Sequence, residues 1–337
     1  MPKIAAVFWT LAAGAAGAFA LAALGVPAGA LIGSSLAVAV LGALTGLGQV
    51  PERLRDLGFI VIGVSLGSGI DTSFGAHVVD WALSLTLLSL SLAVTLGLGA
   101  WILMRGFGMD RQTAVLASSP GTMSNAIALA IEGKGDVAAI MALQVLRLLV
   151  LVMLVPPLAA VLDSAPVTVP KAQVAQLPVL LGLLLASYGA GWLGQRAKVP
   201  AACLLAGLIL SATAHGTGLV HGAVPSWAIF AGFAVTGATL GTRMTKVGVK
   251  SLAKAMRAGA ALLCVTMGVS FGFALITAFV SGLPLPQVWI AFAPGGVEAM
   301  AAIGLSLGYD PAFVALHHFV RIVVLVALVP VALGRRR

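Results

Sequence analysis

The chain has 337 residues, of which 60% are hydrophobic and 9% charged, and its mean hydropathy is +1.11. Soluble domains carry about 25% charged residues, so this composition excludes an ordinary soluble protein and reads as a polytopic membrane protein. The formal net charge of +9 is dispersed among short loops and a terminal "RRR", a pattern that reads as membrane orientation and not as a nucleic-acid surface.

Apolar runs long enough to cross a hydrocarbon core, about 20 residues each, open the chain near 4–24, 29–49, 57–75 and 81–104. The first follows Lys3 and contains "AGAFA", which imitates a secretory signal; a matching run opens the second half, so a retained helix is expected. The third contains "GVSLGSGID" (63–71), whose glycines permit close helix approach. Ser65 and Ser68 there either bond across helices or line a site, and Asp71 is either a second ionisable group or a boundary residue.

Residues 112–161 must then make one net crossing, yet as continuous helix they would run about 75 Å against a core of about 30 Å. The break falls at "SSPGTMSN" (118–125), because proline removes a backbone donor and glycine turns at small steric cost. Segment 112–131 is therefore expected to be a re-entrant hairpin or a discontinuous helix, followed by a full span at 137–161. The second half repeats the order: runs at 178–194, 201–220, 226–242 (with "GATLGTRM", 237–244, carrying Thr239 and Thr242) and 256–280, a broken segment 286–306 containing "APGGVEAM" (293–300), and a last run at 311–333. Cys203 and Cys264 both fall inside runs, so no disulfide framework is expected.

A shift of 174 residues aligns the two halves. Pro51 meets Pro225, Gly63 meets Gly237, Pro120-Gly121 meets Pro294-Gly295, and nine of the 21 positions in 136–156 are identical to their partners, including Asp136, Arg147 and Pro156. Loop charge is complementary: Lys3, Arg53, Arg55, Arg105 and Arg111 have no basic counterparts, and neither do Arg196, Lys198 and the cluster Arg243, Lys246, Lys250, Lys254 and Arg257. Since cytoplasmic loops collect Lys and Arg, the expectation is an inverted repeat of five plus five net spans, 1–162 and 177–337 joined by a linker at 163–176. Both termini are then cytoplasmic, in a bacterial-type inner membrane.

Interrupted helices at matching positions of inverted halves point to a transporter's substrate site. Freed backbone groups in lipid must be buried in protein or face water, and a half-helix starting after each break would aim N–H groups at an anion. The candidate binding residues are Ser118, Ser119, Pro120, Gly121, Ser124 and Asn125 at the first break, and Pro294, Gly295 and Gly296 at the second; Thr122 is polar there too. Arg147 and Arg321 are symmetry mates near the middle of their spans, where a charge costs about 2.5–3.5 kcal/mol. Gln144 and the pair His317 and His318 lie within a turn of them. The arginines either recognise a carboxylate or similar oxyanion or clamp freed carbonyls, and Arg321 has Glu298 as an alternative partner. Glu298, whose mate is Ser124, is a candidate for proton coupling or a permanent ion pair, with His317 as its candidate helper. Asp136 and Asp310 are expected to cap the following helices, with Pro311 at the first helical position.

The run "APGGVEAMAAIGLSLGYDPAFVALHHFVRIVV" and its earlier echo "SSPGTMSNAIALAIEGKGDVAAIMALQVLRLLV" resemble the membrane AbrB-type family, in which the chain is a duplicated membrane unit. Its members are labelled ammonia monooxygenases or regulators of gene expression. The residues offer little for either label: His and carboxylates do not cluster as metal ligands, and no segment is large enough for a DNA-binding domain. No metal, cofactor or enzyme activity is expected. The reading is an all-α secondary transporter of a small organic anion, proton coupling being open, with the lipid bilayer and that solute as partners and no nucleic acid; a homodimer is left open. The alternative is an AbrB-type membrane sensor that binds a ligand without transport.

Overall fold

The computed structural model describes residues 3–69, 81–119, 123–133, 135–162, 173–199 and 201–334. Asp71, Pro120, Gly121 and Thr122 lie outside them, and the side chains of Ser124 and Asn125 are likewise not described. Among the described residues the architecture is all helical, with a single isolated bridge between Val174 and Ala223.

The first half supplies α1 (Lys3–Ala23), α2 (Gly29–Thr45), α3 (Glu52–Gly67), α4 (Ala82–Phe107), the half-helices α5 (Arg111–Ser118) and α6 (Met123–Gly133), and α7 (Val137–Leu162). The second supplies α8 (Leu177–Arg196), α9 (Ala202–Gly216), α10 (Ser226–Val247), α11 (Val249–Ser281), the half-helices α12 (Leu285–Phe292) and α13 (Val297–Ser306), and α14 (Pro311–Leu333). Six of these, α1, α4, α7, α8, α11 and α14, are long and apolar enough to cross a membrane by themselves.

Two sequence expectations need correction. The basic residues 243–257 do not lie in a loop: α10 runs through Arg243 to Val247, and α11 begins at Val249 after one Gly248 at φ 76°. Arg53 and Arg55 likewise lie inside α3. Windowed hydropathy ends a span at its first charges, but i→i−4 bonding carries a helix past them. At 33 residues, α11 is about 50 Å long, so its basic first turns extend beyond a core of about 30 Å.

The helices sort into two bundles, each drawing on both halves. One contains α1, α2, α3, α8, α9 and α10, with α3 packed on α9 and α2 on α10; the other gathers α4, α11, both pairs of half-helices, α7 and α14. The first is tied by glycine. A Cβ at Gly63 would overlap the Leu204 carbonyl, and one at Gly237 the Leu31 carbonyl, so the matched glycines let helix backbones touch across the halves. Ser211 Oγ donates to the Val64 carbonyl at 2.7 Å and Ser34 Oγ to that of Ala234 at 2.6 Å, fixing the same two crossings. Gly63 and Gly237 are thus packing positions within their glycine motifs.

Candidate functional site

Both broken segments are re-entrant hairpins. In the first, Gln112 Nε2 at the start of α5 donates to the Leu129 carbonyl near the end of α6 at 3.0 Å, and the Asp136 N–H donates to Thr113 Oγ1 at 2.9 Å. In the second, the Asp310 N–H donates to Gln287 Oε1 at 3.2 Å, and residue 287 stands 174 positions after Thr113. The chain therefore returns to the level at which it went in. Asp136 and Asp310 also cap the next helices, accepting from Ala139 at 3.0 Å and from Ala312 at 2.9 Å.

The hairpin mouths face opposite ways. Mouth two lies at the N-terminal end of α14, where Asp310 meets Gln287. Mouth one lies at the other end, where Arg111 donates through Nη2 to the Ala332 carbonyl at 2.8 Å. With 23 residues, α14 separates the two mouths by about 34 Å. Between them the described ends of both breaks are each held by an arginine from the span that follows.

Arg147 Nη2 donates to the Ser119 carbonyl at 3.3 Å, while its Nε and Nη1 have no partner among the described residues. Arg321 holds its tip more fully: Nη1 donates to the Ala293 carbonyl at 2.6 Å and Nη2 to that of Gly295, leaving only Nε without one. Ser119 and residue 293 are again 174 apart. Both guanidinium groups are buried, Arg321 completely, and they sense each other's charge. Gly296 in the second tip sits against Leu148, the neighbour of Arg147; a Cβ there would lie 3.4 Å from Leu148 Cδ2.

Of the two alternatives for Arg321, the carbonyl clamp and the pair with Glu298, the structure shows the clamp: among the described residues Glu298 makes no ion pair within 4.0 Å. Half-buried in the first turn of α13, Glu298 acts electrostatically on both Arg321 and Arg243. Arg243 of α10 was missed as a site residue because it stands among loop-like charges. A signal was present, since Arg243 replaces a glycine of the first copy just as Glu298 replaces Ser124.

Gln144 Nε2 donates to the Leu116 carbonyl at 2.9 Å, a bond within the hairpin clamp. Its counterpart His318 turns toward the backbone of Ile290, the counterpart of Leu116, yet neither of its buried ring nitrogens makes a hydrogen bond to a described group. His317 is a satisfied core histidine, with Nδ1 2.8 Å from the Phe313 carbonyl and Nε2 2.8 Å from Ser84 Oγ. Ser118 Oγ donates to the Ala114 carbonyl of its own helix at 2.7 Å. Pro294, Gly295 and Gly296 are buried in the second break, where a Cβ on Gly295 would come within 2.6 Å of Met300 Cε.

A cavity of about 660 Å³ opens elsewhere, between the start of α3 and α8, lined by Glu52, Arg53, Asp56, Tyr188, Trp192 and Gln195. The tips carry the stronger case for chemistry, because unpartnered buried donors are costly and the charged ones, on Arg147 and Arg321, lie there. No group of three or more possible metal ligands occurs among the described residues.

Over residues 31–335 the chain matches the family described as "Transition state regulatory protein AbrB". It is 26% identical to "Uncharacterized protein YhjN" of Bacillus subtilis (strain 168), across 96% of this chain and 91% of that one. It is 34% identical to "Putative regulator AbrB" of Escherichia coli (strain K12), across 41% of this chain and 40% of that one. A match running from the second helix to the end of the last, on a fold of apolar helices, makes this chain a member of the membrane AbrB family.

Proposed function

We propose that the protein is a secondary transporter of a small organic anion, working by alternating access in a bacterial-type inner membrane with both termini cytoplasmic. One observation carries the reading: two hairpins enter from opposite ends of α14, and each is held at its tip by a buried arginine. Irregular backbone at membrane depth needs a polar reason, and opposed half-helices around a central site are a transporter's arrangement. The bundle of α4, α7, α11, α14 and the hairpins is the moving core, and the glycine-locked bundle is the scaffold. Glu298 is the residue that takes up a coupling proton. His317 is a weaker helper, its ring nitrogens being engaged already.

The test is uptake of radiolabelled dicarboxylates and monocarboxylates into proteoliposomes under proton and sodium gradients. Uptake lost in Arg147→Gln and Arg321→Gln bears the proposal out. The second reading, a membrane sensor, draws on the regulator names of the family and of the Escherichia coli relative; saturable binding with no uptake under any gradient would decide for it.

A further inference from the structure

We propose, resting on that reading, that the solute is a dianion, held with one end on each hairpin's arginine. Around the tips Arg321 feels the charges of Arg147 and Glu298, and Glu298 also acts on Arg243; Arg55, which reaches Arg243 too, is already paired with Asp56 at 2.8 Å. Guanidinium groups do not deprotonate in proteins, so three cations against one carboxylate leave two positive charges. In a medium of low dielectric such a pair is stabilised by an equal countercharge. A monoanion leaves one guanidinium uncompensated.

The hydrogen-bonding inventory agrees with the charge. Of the ten buried side-chain atoms without partners among the described residues, five belong to the groups behind the tips: Arg147 Nε and Nη1, Arg321 Nε and the two ring nitrogens of His318. Arginine nitrogens only donate, so the ligand must bring acceptors to two separate places. Arg147 is tied to the first tip and Arg321 to the second. A ligand with two anionic ends therefore bridges elements that enter from opposite sides of the membrane, and its departure frees them to move apart.

The purified full-length protein is titrated calorimetrically with succinate and with succinamate, which keeps the shape and removes one charge; malonate, glutarate, their monoamides and sulfate extend the series. The dianion of each matched pair is expected to bind at least about tenfold more tightly, the Coulombic gain being partly offset by desolvation. Arg147→Gln should bring the ratio near one. Equal affinities in the wild type overturn the dianion and leave the anion transporter standing. Binding of no compound in the series overturns both. The wild-type comparison needs no variant, so it holds even if Arg147→Gln does not fold.

Discussion

Arg147 and Arg321 occupy equivalent places but are held unequally, and replacing each with methionine should separate structural from functional burial. Methionine keeps an unbranched apolar stem and removes the charge. Arg321 gives two charge-assisted hydrogen bonds to its tip, about 1.5–3 kcal/mol each, against about 2.5–3.5 kcal/mol for placing the charge in the membrane. Arg321→Met should therefore destabilise the fold by about 1–2 kcal/mol. Arg147 gives one long bond, at 3.3 Å, and leaves two nitrogens without a described partner. Its bond offsets only about 1 kcal/mol of the same penalty, so Arg147→Met should be stabilising by about 2 kcal/mol. The difference of about 3 kcal/mol corresponds to melting temperatures about 5 °C apart, read by circular dichroism in one detergent. Equal losses in both variants would show that the two arginines are held alike. Arg147→Met should still abolish uptake, as expected of a residue kept for function at the expense of stability.

Other consequences are testable in the same preparation. Thr113→Val and Gln287→Leu each remove the bond that closes a hairpin mouth and should each lower stability by about 1 kcal/mol in chemical unfolding; an effect at only one mouth would contradict their equivalence. Glu298→Gln and Arg243→Gln should couple by about 0.5–3 kcal/mol in a double-mutant cycle of stability, and additivity would show that the two charges do not meet. Asp110 is subject to burial, which raises its pKa, and to hydrogen bonds from Thr113 at the start of α5, which lower it and prevail. A carboxylate so depressed stabilises the fold above its unfolded pKa of about 3.9, and the contribution is lost as pH falls through the lower folded value. Asp110→Asn should therefore flatten the acid limb of the stability profile below about pH 4, and an unchanged limb would remove the cap from the account.

Much of the scaffold was legible because the copies could be compared. Gly63 with Gly237, Pro120 with Pro294 and Arg147 with Arg321 mark the same crossings, breaks and clamps, and the described members hold the contacts their spacing implied. The closing of the hairpins was not legible: Thr113 and Gln287 are different residues with one shared role, accepting an N–H from a cap residue, which only coordinates can align. Helix ends were misread where charge and helicity part company, at Arg53 and at Arg243. The misreading at Arg243 also hid its electrostatic link to Glu298, since a cation taken for a loop anchor is not sought as a partner for a carboxylate beside the break. Ser118 and His317 were singled out for polarity and turn out to be hydrogen-bonded within the core, a distinction that residue type alone does not make.

Alternating access requires that the two tips be reached in turn from the two sides of the membrane. With Cys203 and Cys264 replaced by serine, a single cysteine at Gly296 in the second tip can be challenged with a membrane-impermeant thiol reagent from either face of oriented proteoliposomes. Labelling from both faces is expected in the absence of ligand, with a shift in their ratio when a binding anion is added. Labelling from one face only, unchanged by any anion that the protein binds, would contradict alternating access.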